Sequence, residues 1–528
     1  MEKMKTGRPA MTGIITKLAL AGALALSPAA FAQDYDLVLN NGRVIDPETG
    51  LDAIRHVGIR GDEIAIISET PLEGTRTIDA AGRIVAPGFI DLHGHGQDTP
   101  AGRMQALDGV TTTLELESGV LPVSDFYARA AEQGRPINYG AASSWAHARI
   151  AAVMDVEPHA DTYWFFRYIG DPRWQTELAD NERLSAILRH INTGLEEGGL
   201  GIGILLGYAP GISRGEYHAV NALAAARDVP TFTHARFLSA IEPQSSFEGF
   251  QEMVAVAAGT GAHMHISHLN SISLSDIDRI ADMIETAQAN GVNITVEAYP
   301  YGAGATGIGA AMFRGEGWRD RMGGIEYSDF TVQGVPLDEE RFNDLQENAP
   351  GTGIVVHFLN PDERPEHQAY LDRSILFPGG AIASDGGPWS VGSERLDGDI
   401  WPIPEDAHAH PRSAGTYGRF LRIYARERGV IDWPEAVAKA SFYPARILSD
   451  AVPQMRRKGR LQPGMDADIV VFDPETVADR ATFERPAQAS VGFEYVIVNG
   501  TVLVDGGELD TSVLPGRPVR GTVASGAE

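Results

Sequence analysis

Two histidines separated by a single glycine, His93 and His95, follow a run of strand-forming residues from Ile84 to Ile90. On an extended strand, residues i and i+2 face the same side. The two imidazoles can therefore meet at one point, which is half of a metal site. Taken alone, the pair reads equally well as surface histidines in a loop. The residues downstream change that reading. Glu115 and Glu117 end the apolar and β-branched run that starts at Val110, His234 closes 231–234, His268 follows 263–267, and Asp385 follows 382–384. Singly, His234 suits a packing histidine, the two glutamates a solvated face and Asp385 a helix cap. In this order, four imidazoles, one of the two glutamates and Asp385 suit one or two Zn2+-like ions with positions left open for water. His263 and His265 have the opposite parity to His268 and read as packing or supporting residues.

Such a set needs rigid elements that deliver each side chain to one place. Residues 86–450 alternate strand-like pieces (111–116, 201–206, 231–233, 263–266, 293–297, 353–356 and 381–383) with helical ones (181–190, 219–226, 247–258 and 274–290). This α/β alternation predicts parallel βα units, and the length suits a (β/α)8 barrel, whose active site lies at the C-terminal strand ends. The least regular stretch, around 305–350, is expected to be a lid or insert. Residues 33–85 and 451–528 are rich in short strands, with hairpin signals at Asn41-Gly42 and Gly61-Asp62. They predict one small β-domain built from both termini.

Composition narrows the function classes. Residues 1–32 carry Lys3, Lys5, Arg8 and Lys17, then an apolar stretch from Leu18 to Leu26 and Ala30-Phe31-Ala32 before Gln33. This is the pattern of a secretory signal peptide cleaved after Ala32, and it predicts export to a bacterial periplasm or beyond. The formal net charge is −28, and removing that segment, with its four basic residues and one acidic one, takes it to about −31. So acidic a chain repels nucleic acid and anionic lipid. There is no second apolar span, and the expected partner of the site above is a small molecule. There are no cysteines, and the five lysines are Lys3, Lys5, Lys17, Lys439 and Lys458. Chemistry between residues 18 and 438 therefore runs without thiolate or amine.

With these residues in place, the sequence resembles the amidohydrolase superfamily, in particular its N-acyl-D-amino-acid deacylase branch, the D-aminoacylases and D-glutamate deacylases. The resemblance spans nearly the whole chain after residue 32. It rests on Gly88 to His95, Gly109-Val110-Thr111-Thr112, Thr233-His234-Ala235-Arg236, Ile266-Ser267-His268-Leu269 and Tyr299-Pro300-Tyr301-Gly302. Further matches are Ser384-Asp385-Gly386, His410-Pro411-Arg412, Asp466 to Phe472 and Pro515-Gly516-Arg517.

The resemblance implies a metal-dependent hydrolase barrel with a β-sandwich formed by both termini, and zinc as the metal. By resemblance, His93 and His95 bind a weakly held ion, His234 and His268 a tighter one, and Asp385 is the catalytic acid–base. Arg412 matches an arginine that grips a substrate carboxylate, helped by Tyr299 or Tyr301, and Arg236 and Asn270 complete the expected substrate contacts. The chain departs from the pattern at two places. Ser118 stands where D-aminoacylases carry a cysteine ligand, and no barrel lysine is available for carboxylation. A glutamate is then the best bridge, Glu117 before Glu115. Asn270 also stands where a lysine usually follows the second histidine motif, which removes a cation from the carboxylate pocket. The expected reaction is hydrolysis of an N-acyl (D-)amino acid by metal-activated water, with Asp385 relaying the proton. Ring opening of cyclic amides or lactones, or dipeptide cleavage, is the alternative for the same site. A binding protein on this scaffold is the alternative without catalysis.

Overall fold

The computed structural model describes residues 35–361 and 363–523; the signal-peptide reading of residues 1–32 lies outside the described residues. Eight parallel strands form the barrel wall: β1 (Phe89–Asp91), β2 (Val110–Val120), β3 (Asn138–Ser144), β4 (Ile202–Leu205), β5 (Thr231–His234), β6 (Met264–Ile266), β7 (Ile294–Ala298) and β8 (Ala381–Ile382). They pair in sequence order from β1 to β8. Nearly every strand residue is buried, as a parallel sheet covered on both faces requires. Asp91 closes the circle between β8 and β1. Its Oδ1 accepts the Ser384 N–H at 2.9 Å and the His93 N–H at 3.1 Å, and the Ser384 hydroxyl donates to Oδ2. The Gly386 carbonyl then accepts the His95 N–H at 2.8 Å. The closing hydrogen bonds thus run through the two segments that carry His93, His95 and Asp385.

Two strand assignments differ from the sequence reading. Asn138–Ser144 is a barrel strand that its sequence, Asn-Tyr-Gly-Ala-Ala-Ser-Ser, does not announce, because it has no β-branched residue. Gly353–His357 is a strand but not of the barrel. It pairs antiparallel with Ala303–Gly307 and Phe330–Val332 in a four-stranded sheet. That sheet takes its strands from residues 303–357, around the stretch read as least regular.

The terminal segments join in one nine-stranded sheet, in which Ile84–Pro87 pairs antiparallel with Ile469–Phe472 and runs on through Gly88 into β1. The strand straddles the expected boundary at residues 85 and 86. Gly61-Asp62 forms the expected hairpin turn, with Arg60 opposite Glu63. Asn41-Gly42 does not. The strand Tyr35–Asp46 continues through it, and the register slips between Leu39 and Gly42 while Asn41 holds a φ of 65°. A Cβ at Gly42 would stand 2.4 Å from Val85, so the glycine serves a bulge against a neighbouring strand rather than a turn. Among the described residues no helix is long and apolar enough to cross a membrane.

Candidate metal centre and active site

Immediately past β1, His93 and His95 face each other with their Nε2 atoms 3.1 Å apart. At the ends of β5 and β6, His234 Nδ1 lies 3.0 Å from His268 Nε2. Glu117 stands between the two pairs. One of its oxygens, Oε2, is 3.2 Å from His93 Nε2 and 3.8 Å from His95 Nε2. The other, Oε1, is 2.8 Å from His268 Nε2 and 3.2 Å from His234 Nδ1. Asp385 Oδ1 lies 3.4 Å from His95 Nε2 and 3.5 Å from His93 Nε2. The donor atoms form three overlapping groups, each within 4.8 Å: His93, His95 and Glu117; Glu117, His234 and His268; His93, His268 and Asp385. Facing imidazole nitrogens that share a carboxylate oxygen on each side are a donor set that divalent cations fit.

Glu115 departs from the sequence reading as a possible metal ligand. Its Oε2 lies 2.8 Å from Nδ1 of His95, on the far side of that ring, and its Oε1 accepts the Ser118 N–H at 3.2 Å. It orients an imidazole instead of joining the donor cluster, a common arrangement behind metal-binding histidines. The strand explains why two glutamates of equal parity take different roles. Pairing of β2 with β3 slips between Glu115 and Val120, and such an irregularity re-aims the residues after it. Gly203 on β4 lets the re-aimed segment pass, since a Cβ there would stand 2.4 Å from the Glu117 carbonyl oxygen.

The sequence reading did not assign Glu297, at the end of β7. Its Oε1 lies 2.5 Å from His93 Nδ1 and its Oε2 3.2 Å from His265 Nε2, while His265 Nδ1 meets the Thr295 hydroxyl at 2.9 Å. Glu297 does for His93 what Glu115 does for His95. A carboxylate at the C-terminal end of a barrel strand was the available signal. Behind His268, the Ser271 hydroxyl lies 3.0 Å from Nδ1. His263 and His265 stand in supporting positions, both against the Thr295 hydroxyl.

The charges are strongly coupled. Burial opposes charging of His95, but Glu115 and Asp385 beside it raise its pKa to about 10. Burial would likewise favour the neutral acid at Asp385. The Arg412 guanidinium, then His93, instead hold this carboxyl well below the usual carboxylate range. Glu117 is also pulled down, by His93 and His268, against its burial. Both His268 (φ 32°) and Asp385 (φ 52°) have left-handed backbone, a conformation that concentrates at functional sites.

A cavity of about 840 Å3 opens above the cluster, and His95, Glu117, His234, His268, Asp385, Tyr299 and Arg412 all face it. Arg412 begins the helix Arg412–Phe420 and donates from Nη2 to Asp385 Oδ1 at 2.8 Å. Its guanidinium carbon sits 4.6 Å from the Tyr299 ring centre, and its Nε and Nη1 are buried with no hydrogen-bond partner. Unpaired buried guanidinium N–H groups are costly, and an anionic ligand satisfies them. Gly304 leaves that side clear, since a Cβ there would come within 3.1 Å of the Tyr299 hydroxyl and 3.6 Å of Arg412 Nη1.

Three expected substrate contacts stand elsewhere. Arg236 turns away from the cavity: Nε and Nη2 donate to the Glu252 carboxylate at 2.7 Å each, and Nη1 to the carbonyls of Pro210 and Ile212. Asn270 ties down the neighbouring loop, donating to the Tyr301 carbonyl and accepting the Tyr299 N–H. Tyr301 packs against His410 and beneath Arg419, outside the cavity wall. Arg236 and Asn270 spend their polar side-chain atoms on the scaffold, whereas the buried Tyr301 hydroxyl has no hydrogen-bond partner.

The amidohydrolase family model matches residues 76–273 and 249–504. The N-acyl-D-glutamate deacylase of Alcaligenes xylosoxydans xylosoxydans is 30% identical over 533 residues, covering 92% of this chain and 97% of that protein. The D-aminoacylase of the same organism is 27% identical over 508 residues, 89% of this chain and 94% of the other. Among solved structures, the N-acyl-D-glutamate deacylase of Bordetella bronchiseptica, complexed with zinc and a phosphonate inhibitor, aligns with a TM-score of 0.71 at 25% identity. That alignment covers 93% of this chain and all of the other. The family match runs from the terminal sheet through every barrel strand, and the chain belongs to the amidohydrolase family.

Proposed function

We propose that this protein is a zinc-dependent deacylase that releases an amino acid from an N-acyl-D-amino acid. It is a hydrolase of carbon–nitrogen amide bonds; the substrate and the D-configuration are our reading. The observation that carries the reading is Arg412, which lines the cavity next to Asp385 and whose buried Nε and Nη1 have no partner. A substrate carboxylate set against those N–H groups brings the adjacent amide over the donor cluster. The zinc bound by the Bordetella relative supports the choice of metal, as does a donor set of imidazoles and carboxylates without thiolate. The deacylase relatives support the D-series.

His93, His95, Glu117, His234 and His268 would hold the metal, with Glu117 spanning both halves. When bound, the ion supplies an acidified water and polarises the amide carbonyl. Asp385, held ionised by Arg412, takes a proton at Oδ from the attacking water and delivers it to the departing nitrogen. Glu115 and Glu297 fix the rings of His95 and His93. Tyr299 and Arg412 anchor the substrate end that does not react.

The test is hydrolysis of N-acetyl-D- and N-acetyl-L-amino acids by protein of measured zinc content. Release of amino acid from the D-series supports the reading. Inactivity on every N-acyl amino acid, with ring opening of a cyclic amide instead, overturns it. We also propose export, on the strength of the basic, apolar and Ala30-Phe31-Ala32 segments of residues 1–32. Protein recovered outside the cytoplasm should then begin at Gln33, and an intact Met1 terminus on the mature enzyme overturns that proposal.

A further inference from the structure

The cavity above the metal donors is large for a pocket that takes an N-acyl amino acid. At about 840 Å3 it lies toward the upper end of the roughly 300–1,000 Å3 usual for small-molecule sites. Much of its wall is apolar, including Phe165, Phe166, Met312, Phe313 and Ile354. Its cations are few. Among the described residues lining it, Arg395 and Arg412 are the only arginines, and no lysine is present.

Arg412 is open to an anion, as its unpaired N–H groups record. Arg395 is not. Its Nη1 and Nη2 each donate at 3.0 Å to the two carboxylate oxygens of Asp161, a paired contact that occupies the guanidinium fork. Asp161 is itself held, because its Oδ1 also accepts the Tyr163 N–H at 3.0 Å. The Arg395 guanidinium lies 5.5 Å from the Tyr163 ring centre, and that ring stands edge-on to His95 with centres 6.3 Å apart. The neutralised cation is therefore one aromatic ring away from a metal-binding histidine, within reach of a substrate side chain. Asp98 adds further negative charge near Arg395.

A second carboxylate on the substrate would enter this space beside Asp161 and find its only available cation already paired. There it meets the like charge of Asp161 and gains no free cation, and water at the partly exposed Arg395 offsets only part of that cost. A bulky uncharged group meets the aromatic and aliphatic wall instead. Resting on the deacylase reading above, we propose that the enzyme acts on N-acyl amino acids that carry one carboxylate and a large apolar group, and that Asp161 excludes acidic side chains by masking Arg395. Asp161 is a specificity residue here and takes no part in bond cleavage. A dicarboxylate such as an N-acyl glutamate is the excluded class, although it is the substrate named for one of the relatives.

The experiment compares kcat/KM for N-acetyl-D-leucine, N-acetyl-D-phenylalanine and N-acetyl-D-glutamate in the zinc-loaded wild type, Asp161→Asn and Arg395→Met. Asparagine keeps an acceptor for the Tyr163 N–H and removes the charge. The wild type should favour the two apolar substrates by about 10-fold or more, because the Arg395 side chain is 39% exposed and water screens part of the repulsion. Asp161→Asn should raise the glutamate value about 10-fold or more, mainly through KM, and leave leucine within about threefold. Arg395→Met, which deletes a cation that is already masked, should leave the order of preference unchanged. Wild-type preference for glutamate overturns the proposal and leaves the deacylase reading standing. A loss of glutamate hydrolysis in Arg395→Met also overturns it, since Arg395 would then be gripping the second carboxylate. Hydrolysis of none of the three overturns the deacylase reading and this inference together.

Discussion

Arg412, in the cavity wall, donates from Nη2 to Asp385 at 2.8 Å and keeps Nε and Nη1 buried and unpaired. Lysine keeps the charge but cannot serve both directions at once, because it is a compact point charge without the planar fork. Arg412→Lys should lower kcat/KM by about 10- to 10²-fold, the loss expected when one hydrogen bond to a charged group is removed. Most of the loss should fall on KM. An amide substrate lacking the carboxylate should be insensitive to the change, and steady-state kinetics on the matched pair checks it.

Asp385 gives the complementary test. It is ionised by Arg412 and His93 and lies within 3.5 Å of two imidazoles, yet it contributes to only one of the three donor groups. Asp385→Asn keeps the shape and removes the proton acceptor. Turnover should fall by at least about 10²-fold, within the range for general acid–base residues. Zinc content measured by atomic absorption should stay close to that of the wild type. Full activity in this variant would eliminate the proton relay.

Glu115 and Glu117 separate support from ligation. Glu117 has an oxygen toward each histidine pair, so Glu117→Ala should lose metal from both halves and leave less than one ion per chain. Of the donor cluster, Glu115 meets only the outer nitrogen of His95, so Glu115→Gln should retain metal at saturating zinc and weaken its affinity about 10- to 100-fold, as for other residues behind a ligand. Glu297→Gln should behave like Glu115→Gln through His93. Chelator competition followed by metal analysis distinguishes the two classes.

The histidines and Asp385 were legible because their residue types and order along the alternating βα units leave few other readings. What the sequence hid was direction. Parity puts Glu115 and Glu117 on one face, but the irregular pairing of β2 with β3 sends one behind His95 and the other between the histidine pairs. Arg236 follows His234 by two residues, past the end of β5, where strand parity no longer applies, and Glu252 from a neighbouring helix captures it. Strand propensity was informative about Gly353–His357 being extended, but carried nothing about which sheet it would join. Asn138–Ser144 shows the converse: seven buried positions with little β-propensity form a barrel strand because neighbours on both sides supply its hydrogen bonds.

Asn138 also marks where the terminal sheet is tied to the barrel, and that junction makes a stability prediction separate from catalysis. Lys458 Nζ donates to Asp468 Oδ2 at 2.6 Å, and Asn138 Nδ2 donates to the same oxygen at 2.9 Å. Asp468 Oδ1 accepts the Asn499 N–H at 2.8 Å, and Asn499 Nδ2 donates back to Asn138 Oδ1 at 2.7 Å. All four residues are buried. Lys458→Met removes the cation and leaves the Asp468 carboxylate in the interior with neutral donors only. Breaking a buried pair from one side costs about 3–5 kcal/mol, so the variant should unfold at markedly lower denaturant. Replacing both residues, as Lys458→Met with Asp468→Asn, should recover part of that loss, because the buried carboxylate is gone and Asp466, which also meets Lys458 at 3.0 Å, keeps its pairing with Arg457. None of these atoms reaches the metal donors, so kcat below the unfolding transition should match the wild type. A drop in kcat without a drop in stability would place Lys458 in the site instead of the scaffold.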